Sequence, residues 1–349
     1  MILKLNEKDR QKFNILMNTL AFNDTVVNLY SSYLNFTPRF ITPELVKDVA
    51  TGDGAAFDEY AVAALLCTAL GIDSGAGKLE MAFFRNYIVP SVEQLDEKEY
   101  ADDPYYKNIK IPTLKHKDWE FRYESYAPFE LFVCNDPALC ADHREIPQLG
   151  FFKKEFPFPA VLQNGREWMT VTPNEINTMK EPIKRAHGRV VTFGLGLGYF
   201  AYMVSEKPNV NEVAVIENDR DVIYLFEKYI LPQFSYKDKI KIVCADAFEF
   251  AKSTLPCAGF DYAFVDLWLD ASDGLSMYAE MRRLEALSPS TEFDYWIEAS
   301  LLSHLRRMIA AELDGGEGRV LLSYDQITEL LSNTFLREAV KDIKEQGAV

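Results

Sequence analysis

Four short apolar segments follow one another in the second half of the chain, and each closes on a glycine turn or a carboxylate. Val190–Phe193 runs into Gly194-Leu195-Gly196-Leu197-Gly198, VAVIEND (213–219) carries Glu217, IKIVCADAF (240–248) carries Asp246, and FDYAFVDLWL (260–269) carries Asp266. Helical stretches separate them, among them DVIYLFEKYILPQF (221–234) and FEFAKSTL (248–255). Strands alternating with helices at this spacing predict βαβ units and a parallel sheet. Open sheets of that kind bind ligands outside the carboxyl ends of their strands. Glycines there let the backbone approach a ligand without an intervening Cβ. The helix expected over 199–205 would aim its free N–H groups at the same place. One acid at a strand end reads equally well as a helix cap. Three acids in register with a glycine turn read as a ligand site.

From Pro173 to Asp314 this succession resembles the class I S-adenosylmethionine-dependent methyltransferases. The resemblance implies an α/β, Rossmann-like sheet and S-adenosyl-L-methionine as cofactor. It places Gly194, Leu195, Gly196 and Gly198 around the methionine part. Glu217 would hold the ribose hydroxyls, Asn218 would lie beside the adenine, and Asp246 would face the adenine amino group, with Ala247 and Phe248 nearby. Asp266 would stand beside the reacting end as the catalytic candidate. The chain departs from the family at Thr192, where an acid usually precedes the glycines. A dinucleotide fingerprint, G-x-G-x-x-G, would need glycine where Tyr199 stands.

Just upstream, AVLQNGREWMTVTPNEI (160–176) resembles the hairpin and helix of the spermidine synthase-like branch, with Gln163, Arg166 and Glu167 on its polar pattern. That likeness adds Gln163 to the cofactor contacts. The D-S-x-D-P signature of the aminopropyltransferases is not matched by Asp266-Leu267-Trp268-Leu269-Asp270, nor is their acidic glycine loop. The proline-free loop after the fourth strand also argues against a nucleic-acid base as acceptor. Trp268 reads either as a stacking surface for the acceptor or as a packing residue.

Composition narrows the class. A net charge of −16 over 349 residues opposes a phosphate backbone, whose binding depends on Lys and Arg. No apolar run approaches the ~20 residues of a membrane-spanning helix. The N-terminal MILKLNEKDRQKF lacks an apolar signal core, and five scattered cysteines suggest reduced thiols, so a cytoplasmic protein is expected. Cys134, Cys140 and His143 match no common zinc spacing, and no metal is expected. The partners expected are a small-molecule or protein acceptor and a second copy in a homodimer, with neither nucleic acid nor membrane.

The first hundred residues read differently. LNEKDRQKFNILMNTLAF (5–22), TVVNLYSSYLNF (25–36) and GAAFDEYAVAALLCTALG (54–71), after Asp53, have helical periodicity, and Thr42-Pro43-Glu44 is a helix start. SGAGK (74–78) falls short of a phosphate loop, because Ile72 and Leu79 stand where a glycine and a hydroxyl are required. Polar, proline-bounded 102–112 reads as a linker. Trp119, Phe121 and Tyr123 alternate with charges as a strand, with 127–136 as its expected partner. Strand 292–298, a helix over 299–313, a break at Gly315-Gly316 and strand 320–325 are expected to follow. The organisation expected is a helical N-terminal domain over 1–108, a β-rich hairpin connector over 109–172 and the cofactor-binding domain over 173–349. The function expected is methyl transfer to a small molecule or protein; the alternatives are an aminopropyltransferase-like enzyme and a non-catalytic cofactor-binding protein.

Overall fold

In the computed structural model, which describes residues 2–3, 7–52, 54–73, 75–314 and 321–343, the predicted strands align in one parallel sheet. Its members are Gly188–Phe193, Val210–Glu217, Ile240–Cys244, Tyr262–Val265 and Glu292–Tyr295. Numbered along the chain, their order across the sheet is 3-2-1-4-5, and every pairing is parallel. This is the order of an α/β Rossmann-like sheet, in which chain direction across the sheet reverses beside the first strand. The strands are rich in Val, Ile and Phe because both faces are covered: Val190, Val191, Val213, Val215, Ala263 and Phe264 are all buried.

The helices that follow the strands start on local signals. Tyr199–Ser205 begins after Gly198, whose φ of 75° is left-handed. Arg220–Leu225 is capped by Asp219, and Ala247–Ser253 by Asp246. The helix expected through Phe234 loosens into a π turn over Phe226–Ile230 and closes in a short 3₁₀ turn at Pro232. The fifth strand ends at Tyr295 rather than continuing to 298, because Ile297 takes a φ of 46° and a helix starts at Glu298.

Packing divides the chain into two units that alternate along the sequence, where the sequence reading drew three consecutive segments. One comprises 1–97, 125–157 and 303–335; the other comprises 98–124, 158–302 and 336–349. The expected linker belongs to the second unit. Pro104–Asn108 is a helix, and its fully buried Tyr105 donates to the carbonyl of Leu197 at 2.6 Å. The strand Trp119–Tyr126 buries Trp119 and Phe121 and lies in a sheet with Leu114–His116, Phe156–Gln163 and Arg166–Thr170. Its expected partner, Phe132–Leu139, pairs instead with Glu145–Phe151.

The first unit combines helices with a three-stranded sheet. The two helices expected over 5–36 are one, Glu7–Phe36. The two residues left between them, Asn23 and Asp24, lie inside it: buried Asn23 donates to the carbonyl of His143 at 2.8 Å and accepts from the Glu145 N–H at 3.1 Å. Thr42 caps Pro43–Val49 as expected, its hydroxyl accepting from the Leu45 N–H at 3.4 Å. Asp53, Ser74, Gly315, Gly316 and Val320 lie outside the described residues. Among those described, no helix is long and apolar enough to cross a membrane.

A buried ion pair ties the late segment into this unit. Arg306 and Glu145 are 2% and 3% exposed and pair directly. Ser303 donates to the second Glu145 oxygen at 2.7 Å, and Arg306 donates to the Leu331 carbonyl at 2.8 Å and to Asn333. Removing one member strands the other charge in the core. Arg306→Met is expected to cost about 3–5 kcal/mol, read as a fall in the urea midpoint, and adding Glu145→Met should recover most of the loss. A single variant as stable as wild type contradicts this account.

Candidate functional site

Four of the five loops at the carboxyl end of the parallel sheet start in register. The ladder runs one bond past the strands: Gly194 N–H donates to Ile216 O, Ala245 N–H to Glu217 O, Asp266 N–H to Phe193 O and Trp296 N–H to Val265 O, all at 2.9–3.1 Å. Beneath these loops and the Arg166–Thr170 strand lies a cavity of about 510 Å³, within the range of small-molecule sites. Of the residues singled out in the sequence, Gly194, Leu195, Gly196, Glu217, Asn218, Asp246, Ala247, Phe248 and Asp266 line it.

The glycines are required by conformation. Gly194, Gly196 and Gly198 have φ of 98°, 50° and 75°, a region in which side chains are strained. A Cβ on Gly194 would strike the backbone carbonyl of Asp266, one on Gly196 the sulfur of Met169, and one on Gly198 the Phe226 ring. Only Gly194 and Gly196 face the cavity; Gly198 serves the turn, its N–H donating to Leu195 O at 2.8 Å.

Glu217 is 7% exposed. One carboxylate oxygen accepts from the Asn218 and Asp219 N–H groups at 2.8 Å each, and the other from the Leu195 N–H at 3.3 Å. Burial raises its pKa, and these three bonds pull against that rise. The acid therefore links the second strand's end to the glycine loop. Asp246 caps its helix through one oxygen, which accepts from the Phe248 and Glu249 N–H groups at 3.0 and 2.9 Å, while it lines the cavity. The residue is thus both a helix cap and part of the cavity wall.

Asp266 differs from both. Its side chain makes no hydrogen bond or ion pair with a described residue, and burial, then the nearby charge of Glu175, pushes its pKa up to about 8. Burial also pushes Glu175 up to about 7, against bonds from Thr172. Thr172 and Glu175 form a capping box at the start of Pro173–Arg185, the Thr172 N–H donating at 2.9 Å. Two carboxyls thus titrate near neutrality in one cavity. Asp270 does not line the cavity and caps the helix Ala271–Glu285.

Gln163 is not part of the wall. It lies opposite Arg166 next to the hairpin turn, and the wall comes from Glu167, Trp168, Met169 and Thr170 further along the second hairpin strand. Thr192 sits buried within the first strand and does not reach the cavity. Trp268 is both packing and wall: 5% exposed, it meets Tyr278 edge-on and lines the cavity. Glu175, Met169, Asp273, Met277 and Trp296 line it as well and were not singled out in the sequence. The capping pattern Thr172-Pro173-Asn174-Glu175 is the signal that marks Glu175.

No family model matches the chain, and no curated protein matches it. Among solved structures, it is similar to spermidine synthase from Thermotoga maritima at 17% identity and a TM-score of 0.30, over 44% of this chain and 59% of that one. Spermidine synthase in complex with the transition state analogue AdoDATO gives 16% and 0.30 over the same shares. PigF with SAH gives 17% and 0.23, over 32% of this chain and 37% of that one. The chain therefore spans 59% of the length of the spermidine synthases it matches. Its α/β class rests on its own sheet order.

Gly194→Ala puts a methyl against a backbone carbonyl that cannot rotate away. We expect a thermally destabilised protein whose four loops no longer align, visible as faster amide exchange at Leu195 and Asp266. Unchanged exchange and melting would show that the close approach is not required.

Asp266 also sets a pH dependence. Its folded pKa lies above its ordinary value, so the folded protein holds a proton that the unfolded chain releases, and this contribution to stability falls as pH rises from about 4 to 8. Asp266→Asn should melt several degrees above wild type at pH 8 and close to it at pH 4. Equal differences at both values would remove the assignment.

Proposed function

We propose that this chain binds S-adenosyl-L-methionine and transfers its methyl group to a small-molecule or protein acceptor. The observation that carries the reading is the union of a Cβ-free loop at Gly194 and Gly196 with the buried carboxylate of Glu217, hydrogen-bonded to each other above one cavity. The residues fit the group. A glycine cradle accepts close approach, Glu217 retains acceptor capacity for ribose hydroxyls, and Asn218, Asp246 and Phe248 supply polar and flat contacts for a purine. When bound, the cofactor supplies an activated methyl on a sulfonium. The protein's task is then mainly to hold and orient the two reactants. Asp266, at the end of the fourth strand and without a hydrogen-bond partner among the described residues, would in its ionised form take the proton the acceptor loses.

A second reading has its own observation. Among the described residues no Lys, Arg or His lines the cavity, so a methionine carboxylate would meet no cationic side chain among them. That favours a donor lacking the carboxylate and thus aminopropyl transfer.

Calorimetry with S-adenosylmethionine, S-adenosylhomocysteine and decarboxylated S-adenosylmethionine separates the readings. We expect the first two to bind, and Glu217→Gln to weaken both at least tenfold, about 1.4 kcal/mol. Preference for the decarboxylated compound would establish the aminopropyl reading, and no heat from any of the three would overturn both.

A further inference from the structure

The glycine loop is tied to the sheet at its entry, where the Gly194 N–H donates to Ile216 O and the Leu195 N–H to Glu217. Its exit is held from elsewhere. Gly198 has no side chain with which to cap the helix Tyr199–Ser205, and a segment 92 residues upstream supplies the tie. Tyr105, 1% exposed, donates its hydroxyl to Leu197 O at 2.6 Å, and its ring meets those of Tyr199 and Tyr202 edge-on at 5.5 and 5.6 Å. A phenylalanine would fill the same space, so what the hydroxyl contributes is that bond. The next residue, Tyr106, donates to Val171 O, directly after the wall strand Arg166–Thr170. The segment is itself anchored. Asp103 accepts from the Tyr199 hydroxyl at 3.1 Å and, through its other oxygen, from the Tyr105 N–H at 2.8 Å; Asn108 donates to the Tyr202 hydroxyl at 2.9 Å. All of these residues lie in one unit.

We propose that Tyr105 and Tyr106 are positioning residues for the donor: without touching it, their hydroxyls hold the glycine loop and the wall strand in the arrangement that receives it. This rests on the donor-binding reading above and adds to that site two residues outside its wall. Neither tyrosine lines the cavity, so their effect on a ligand passes through Leu197 and Val171.

Loop and wall meet inside the cavity, where the Met169 sulfur stands so close to Gly196 that a Cβ there would overlap it. A shift of either one changes the space beside Gly196. The glycines that admit a ligand also leave the backbone free to move. A loop in its binding conformation a fifth of the time binds about fivefold more weakly. Two hydroxyls on consecutive residues of the helix Pro104–Asn108 avoid that loss by fixing both walls before the ligand arrives.

The test pairs calorimetry with S-adenosylhomocysteine and order parameters from ¹⁵N relaxation of the free protein. Both are measured where every variant is fully folded, so that a loss of stability alone leaves the affinity unchanged. Tyr105→Phe and Tyr106→Phe should each weaken the ligand about fivefold. In Tyr105→Phe the Gly196 and Leu197 amides should fall from the rigid range, about 0.85, to below about 0.6, while Val191 and Val215 in the sheet keep their values. Asn108→Ala removes a bond of the same cluster that reaches neither loop nor wall, and should change neither affinity nor loop order. Wild-type affinity in either tyrosine variant, or an equal weakening by Asn108→Ala, overturns the proposal. No heat from the wild-type protein sinks the donor reading instead; the order parameters then decide alone, and a loop as rigid in Tyr105→Phe as in wild type overturns the positioning role.

Discussion

Gly194 passes so close to the carbonyl of Asp266 that no side chain fits between them, and the geometry of the site follows from that contact. The first and fourth strands are hydrogen-bonded neighbours, with Phe193 opposite Val265. Their ends can diverge into two loops without separating only if one of the loops lacks a Cβ. The positive φ of Gly194 then turns the chain toward the second strand, where the Leu195 N–H meets Glu217. One steric requirement thus brings the loop, the buried acid and Asp266 to a single cavity. Tyr105 reinforces the loop from below by donating to Leu197.

Electrostatics in this cavity oppose burial throughout. Every titratable group that the described residues bring to the wall is an acid, and the fold answers the cost differently at each position. Glu217 keeps company with three N–H groups, Asp246 uses a helix end and Glu175 a capping box. Asp266 receives none of these, which is why its proton is held so firmly. Groups kept from ionising by the protein alone are characteristic of places where chemistry is arranged.

Much of this was legible in the sequence because the strands are short, apolar and punctuated. The runs ending at Phe193, Glu217, Cys244 and Val265 appear where the alternation of strand and helix put them. Glu217 and Asp266 were visible as acids following such runs. What sequence spacing did not carry was pairing between distant segments. The hairpin's register slips between Val161 and Leu162, Gln163 pairs with Arg166 beside the turn, and the cavity wall comes from Glu167 to Thr170. Asn23 was left between two helical stretches, and the groups it bonds inside the single helix, His143 and Glu145, are remote in sequence. The 127–136 segment was matched to the nearest strand, whereas the turn at Phe129, with φ of 61°, precedes a strand of a different sheet.

The interleaving of the two units bears on the order in which the chain can fold. The unit that begins at the N-terminus contains residues 303–335, and its core includes Leu16 and Leu20 packed with Ala310, Ile327 and Leu331. During synthesis those late residues emerge only after the whole parallel sheet has been made. Until then the long first helix has one apolar stripe uncovered and Glu145 has no Arg306. The sheet that forms the candidate site can close before the domain preceding it in sequence is finished, so here the order of synthesis and the order of completion run opposite ways.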